Sequence, residues 1–148
     1  MAREVFVDSS GLYALADRSD SYHAQAEERV RKLIESGARL VLTDYIVDEV
    51  RHSTNPPWWT CTLAKVRAVS DAALRLLEIV ERSRAIDMVW IGVEHFEAAK
   101  ALFRKHADHG YSFTDCASFV VMDELRIRDA LTSDHHFVEA GFRILLPR

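Results

Sequence analysis

Residues 4–11 read Glu-Val-Phe-Val-Asp-Ser-Ser-Gly, an apolar run that stops at an acid. Val5, Phe6 and Val7 favour a pleated, buried backbone, and so short a run cannot make a helix that stands alone. Asp8 then sits at the end of a strand, with a helix starting at Ser9. The same grammar recurs along the chain. Arg39–Thr43, Met88–Ile91, Ala130–Thr132 and Phe142–Leu145 read as further short strands. Between them lie helical patterns over Tyr22–Glu35, Tyr45–Val50, Thr62–Arg82, Val93–His106, Phe113–Leu125 and His135–Ala140. Thr62–Arg82 carries Leu63, Val66, Val69, Ala73, Leu76, Leu77 and Val80 along one face, the spacing of an amphipathic helix. Short apolar strands that alternate with helices define an α/β protein. Its central parallel sheet is flanked by helices on both faces.

Length and composition are consistent with that reading. The chain has 148 residues, 49% hydrophobic and 28% charged. One domain over residues 1–148 is expected, large enough to bury about two-thirds of its unfolded surface. No repeat or low-complexity tract divides it. Adjacent prolines in Asn55-Pro56-Pro57-Trp58-Trp59 interrupt any helix there and read as a loop within the domain. No apolar run approaches the ~18 residues of a membrane span. The first residues lack the apolar core of a signal peptide, so a cytoplasmic protein is expected. Cys61 and Cys116 make neither a disulfide framework nor a four-ligand zinc site. The net charge of −4 excludes a globally basic nucleic-acid binder, though not a local basic surface.

In parallel sheets, function gathers outside the carboxyl ends of the strands. Four acids stand at or near such positions. Asp8 follows the first strand, and Glu49 lies one short helix after Leu40-Val41-Leu42. Asp115 lies near the start of the Phe113 helix, and Asp134 follows Ala130-Leu131-Thr132-Ser133. Clustered carboxylates are costly unless a cation neutralises them, and a hard divalent ion prefers oxygen ligands. Such a centre activates water and stabilises charge on a phosphodiester. Each acid also has an ordinary structural reading. Asp8 and Asp134 are placed to cap the helices that follow them. Ser112-Phe113-Thr114-Asp115 fits a capping box, with Asp for the usual Glu. Glu49 reads equally as a solvated helix charge.

The segments carrying these acids resemble the motifs of PIN-domain ribonucleases, including VapC-type toxins. The segments are VFVDSSGLYALADRSDSYHAQA, TDYIVDEV, YSFTDCASFVVMDELRI and ALTSDHHFVEAGFRIL. They stand in the family's order and cover the chain from about Val5 to Pro147. The resemblance implies a compact α/β fold and an acidic pocket that binds Mg²⁺ or Mn²⁺ and hydrolyses RNA. It implies Asp8 and Asp115 as main metal ligands, with Glu49 completing the site directly or through water. Asp134 matches the more variable fourth acid. Ser9 and Thr132 would orient carboxylates or water. It further implies a homodimer and, for a toxin of a type II toxin–antitoxin pair, a small antitoxin as protein partner. A housekeeping RNA-processing nuclease and a non-cleaving RNA- or protein-binding module are the alternatives. A dehalogenase-like phosphatase would need an acid where Ser10 stands. A receiver domain would need a lysine after a late strand, and none follows Lys105.

Several other residues invite a role. His135 and His136 read as first-turn surface residues, with metal or phosphate contact as the second reading. His106 and His109 suit a helix carboxyl end. Cys116 reads as core. Trp58 and Trp59 suit base stacking, a protein contact or plain packing. All but four of the 19 cations are arginine. Arg51, Arg104 and Lys105 are the expected phosphate contacts.

Overall fold

The computed structural model describes residues 2–53 and 63–147. Trp58, Trp59 and the proline pair lie outside the described residues, as does the side chain of Arg51. In chain order the elements are β1 (Glu4–Val7), α1 (Ser9–Ala16), α2 (His23–Glu35), β2 (Arg39–Thr43), α3 (Asp44–Ser53) and α4 (Leu63–Arg82). Then come β3 (Ile86–Val89), α5 (Val93–Lys105), α6 (Phe113–Glu124), β4 (Asp129–Leu131), α7 (His135–Glu139) and β5 (Arg143–Ile144).

All strand pairs are parallel, in the order β3-β2-β1-β4-β5. The chain lays β2 and β3 to one side of β1, then returns to lay β4 and β5 on the other. The direction of winding therefore reverses between β1 and β4, the place where open parallel sheets bind ligands. Helices cover both faces, as expected for an α/β sheet. The β1 residues explain the burial. Val5, Phe6 and Val7 are each 1% exposed or less, so neighbouring residues on opposite faces are both covered. Phe6 packs on Phe137 of α7, with ring centroids 6.4 Å apart.

Two elements, β3 and α3, depart from the sequence expectation by more than one residue at an end. β3 ends at Val89 rather than Ile91, because its pairing with β2 runs from Leu40↔Ile86 to Thr43↔Val89. Beyond it, the Ile91 N–H leaves the ladder and donates to Asp44 Oδ1 at 2.8 Å. α3 runs from Asp44 to Ser53, longer than Tyr45–Val50, since it follows β2 without a loop.

A buried acid fastens the other edge. Asp129 of β4 is 6% exposed and accepts from Arg3 Nε at 3.1 Å and from Arg143 Nε at 2.6 Å. Arg143 above all, then Arg3, hold its carboxyl below the usual range against the opposing effect of burial. Its stabilising effect is complete above the ordinary carboxylate value and is lost as pH falls through the lowered one. Asp129→Asn is expected to cost about 2 kcal/mol at neutral pH, as lost charge-assisted bonds. Urea denaturation should show this, with the gap from wild type closing in acid.

Candidate active site

The carboxyl ends of β1 and β4 bring Asp8 and Thr132 together across the switch point. Asp8 is 2% exposed. It stands at the cap position of α1 but makes no side-chain cap bond, which removes its structural reading as a helix cap. The carboxylate turns instead to β4, where Thr132 Oγ1 donates to Asp8 Oδ2 at 2.8 Å. The Thr132 hydroxyl has one proton, so Ser10, at 2.9 Å from Thr132 Oγ1, is the donor of that pair. Ser133 N–H donates to Ser10 Oγ at 3.1 Å, and Asp134 N–H to Thr132 Oγ1 at 3.0 Å. The hydroxyls thus form a directional relay that delivers a proton donor to Asp8.

The other acids approach from three elements. Glu49 is half-buried on α3 and accepts from Ser9 Oγ at 2.7 Å. Asp115 is 6% exposed in the first turn of α6. Its Oδ2 accepts from Ser112 N–H at 3.0 Å, and its own N–H donates to Ser112 Oγ at 3.0 Å. The expected capping box is therefore present, and it fixes the direction of the carboxylate. Asp134 caps α7 by accepting from His136 N–H at 2.9 Å. Capping and site geometry coincide here, because ligand atoms of Asp115, Asp134 and His136 all lie within 4.8 Å of one another.

His136 corrects the expectation of a first-turn surface residue. Its half-buried ring places Nδ1 3.5 Å from Asp115 Oδ2 and 3.6 Å from Asp134 Oδ1. His135 is exposed. The signal was available, since a helical side chain leans back toward the amino end and residue 136 therefore reaches over its own cap. Ser10 is a further site residue that the sequence does not single out, because its partners Thr132 and Ser133 lie more than 120 residues away. Cys116 is buried, and burial pushes its thiol up, as suits a core residue.

The electrostatics follow from burial and crowding. Burial pushes the Asp8 carboxyl up to about 7, against the lowering bonds from Thr132 and the Ser9 backbone. The charges of Asp115 and Glu49 push the same way. Asp115 is also raised, chiefly by burial, with Asp134 and Glu49 adding and His136 opposing. Asp8 and Glu49 stand outside the close Asp115–Asp134–His136 trio but belong to the same electrostatic cluster. The donor set is oxygen-rich with one imidazole, and two of its carboxylates, Asp8 and Asp115, are buried. That chemistry fits a divalent metal. A cavity of about 870 Å³, lined by Val30, Ile34, Leu42, Ile79 and Ile86 among others, contains none of these acids.

An oxygen-rich acid cluster at the switch point of a five-stranded parallel sheet defines a class, and comparison agrees with it. Residues 5–143 match the PIN domain, so this chain belongs to the PIN-domain family. It is similar to the 23S rRNA-specific endonuclease VapC20 of Mycobacterium tuberculosis. The two are 32% identical over 143 residues, 93% of this chain and 95% of VapC20. The crystal structure of VapC20, a toxin that cleaves the sarcin–ricin loop, superposes with a TM-score of 0.69 at 27% identity. That match covers 93% of this chain and 95% of the VapC20 chain. The fold also matches PAE2754 of Pyrobaculum aerophilum, with a TM-score of 0.61 at 17% identity over 98% and 91% of the chains. VapBC2 of Rickettsia felis, bound to a promoter DNA fragment, matches at 0.59 and 8% identity over 95% and 96%.

Proposed function

We propose that this chain is a metal-dependent endoribonuclease and the toxin of a type II toxin–antitoxin pair. The observation that carries the reading is the crowding of four carboxylates at the switch point, with the buried Asp8 pushed up to about 7. Asp8, Glu49, Asp115 and Asp134 would hold Mg²⁺ or Mn²⁺, with the His136 imidazole as a further donor. When bound, the ion supplies a nucleophile at neutral pH and neutralises charge on the phosphodiester. The hydroxyl relay from Ser10 through Thr132 holds Asp8 in one orientation. Ser9 does the same for Glu49, and the Ser112 cap for Asp115. A carboxylate of this set, or the solvent, would take the proton from the attacking water. In-line attack by water leaves a 5′-phosphate on the downstream fragment.

Similarity to VapC20 makes 23S rRNA the first substrate to test. The reading further includes a small antitoxin as partner, a homodimer as the working form and the cytoplasm as the site of action. Among the described residues no helix is long and apolar enough to cross a membrane. The net charge of −4 is compatible with RNA as substrate, because four of the negative charges would be compensated by bound cation. The test is cleavage of 23S rRNA with Mg²⁺ or Mn²⁺ and with EDTA, followed by sequencing of the RNA ends. Cleavage is expected only with the metals, at one or a few positions. Equal cleavage in EDTA, or none in any condition, overturns the reading.

A further inference from the structure

An acidic centre must receive a polyanion, so the surface around it has to attract and seat the strand. The turn between α5 and α6 carries the features for this. His106 closes α5, its N–H donating to Leu102 O at 3.0 Å, and His109 N–H donates to His106 O at 3.0 Å. Gly110 then adopts φ +73°, a left-handed conformation that glycine reaches without steric cost. That reversal tucks Tyr111 beneath His109. Their rings stack with centroids 5.1 Å apart and 29° between planes, while His106 meets His109 edge-on at 4.9 Å.

The ring series reaches the acids. Tyr111 is 8% exposed and meets His136 in a T-shaped contact at 5.4 Å. His136 Nδ1 is in turn 3.5 Å from Asp115 Oδ2. A ladder of rings therefore runs from the acid cluster through Tyr111 to the surface. Its outer rung stands at the surface, stacked on the core residue Tyr111. The His109 side chain is 41% exposed, and its Nδ1 lies 3.0 Å from the exposed Asp108 carboxylate, which fixes the ring's orientation. Arg104 and Lys105, on the last turn of α5, are exposed and have no ion-pair partner among the described residues.

We propose that His109, stacked on Tyr111 and flanked by His106, Arg104 and Lys105, is an RNA-binding lip beside the acid cluster. The inference rests on the nuclease reading and adds where the strand lies. A base of single-stranded or looped RNA stacks on the outer face of His109, and Arg104 and Lys105 meet the adjoining phosphates. Stacking tolerates any base and needs an unpaired one, so the lip favours loops over duplex. The two cations offset the repulsion between phosphates and the acids.

The test uses the full-length protein and a short fluorescein-labelled single-stranded RNA, with anisotropy read in EDTA so that no strand is cut. His109→Ala is expected to weaken binding roughly ten-fold, and His109→Phe to restore it, because stacking needs a ring and not its charge. The double variant Arg104→Ala/Lys105→Ala is expected to weaken binding and flatten its salt dependence. In metal-supported cleavage, His109→Ala should raise KM with kcat held within about two-fold, the signature of lost binding rather than lost chemistry. Thermal denaturation of His109→Ala and His109→Phe should show both variants folded, with alanine the less stable because it uncovers Tyr111. Wild-type binding and KM in His109→Ala overturn the lip while leaving the nuclease reading intact. RNA binding that depends on His109 without cleavage in Mg²⁺ or Mn²⁺ retains the lip and overturns the nuclease. Loss of binding in both His109→Ala and His109→Phe overturns the stacking role.

Discussion

Asp8→Asn should cut RNA cleavage by about 10³-fold and at the same time make the metal-free protein more stable at neutral and alkaline pH. Both effects have one cause. Asp8 is 2% exposed, and burial, with Asp115 and Glu49 adding, pushes its carboxyl up to about 7. The folded state therefore keeps the proton to about pH 7, whereas the unfolded chain releases it near 3.8, the ordinary value. Between those values the folded state binds more protons, so stability falls as pH rises from about 4 to about 7. The loss stays in full above that range and amounts to something on the order of 4 kcal/mol. Asparagine keeps the shape and an acceptor for the Thr132 hydroxyl but carries no charge to bury.

The metal-free variant should therefore melt about 5 °C or more above wild type at pH 8, with the gap closing near pH 4. Mg²⁺ or Mn²⁺ should stabilise wild type more than the variant, because the variant has lost one of the four carboxylates that would hold the cation. Cleavage should fall by about 10³-fold, the scale of losing charge stabilisation in the transition state. Scanning calorimetry across pH and an RNA cleavage assay check the two halves. A variant that cleaves like wild type removes Asp8 from the active centre. A variant less stable than wild type at pH 8 shows that Asp8 is ordinarily paired rather than penalised.

The second large effect is expected at Gly11. This glycine lies in the first turn of α1, and within a helix alanine ordinarily gains about 1 kcal/mol over glycine. Here the sign reverses. A Cβ built on Gly11 would stand 2.0 Å from the Leu131 carbonyl oxygen and 2.8 Å from its carbon, both backbone atoms of β4. Neither can yield without moving the strand. Gly11→Ala should destabilise by about 3 kcal/mol or more, the upper range of overpacking. It should also reduce cleavage, because the two backbones it separates carry Ser9, Ser10 and Thr132. Urea denaturation and cleavage rates measured together test this. Wild-type stability with wild-type activity would mean that α1 does not lie against β4.

Much of the frame could be read from local pattern. Val5–Val7 and Arg39–Thr43 are short and continuously apolar, a signature of strands covered on both faces. The capping box at Ser112 and the cap at Asp134 follow from spacing alone, since a cap involves residues two or three apart. The positions of Asp8, Glu49, Asp115 and Asp134 after strands made them candidates for the same reason. Edges were harder. The ends of β3 depend on its register with β2, and no local signal encodes a register.

The roles divided along a different line. Asp8 and Asp134 have the same local reading, an acid just before a helix. Tertiary structure separates them, because Thr132 from β4 captures Asp8 while Asp134 keeps its cap. The same holds for His135 and His136, adjacent in sequence, of which only the second turns inward to Asp115. Periodicity and turn chemistry determine which residues form strands, helices and caps, because those choices depend on neighbours within a few positions. Which acid is buried, which hydroxyl is aimed at it and which ring reaches it depend on contacts more than a hundred residues apart, such as Asp8 with Thr132. Burial sets the charge chemistry of the site, and burial exists only once the sheet has closed around β1.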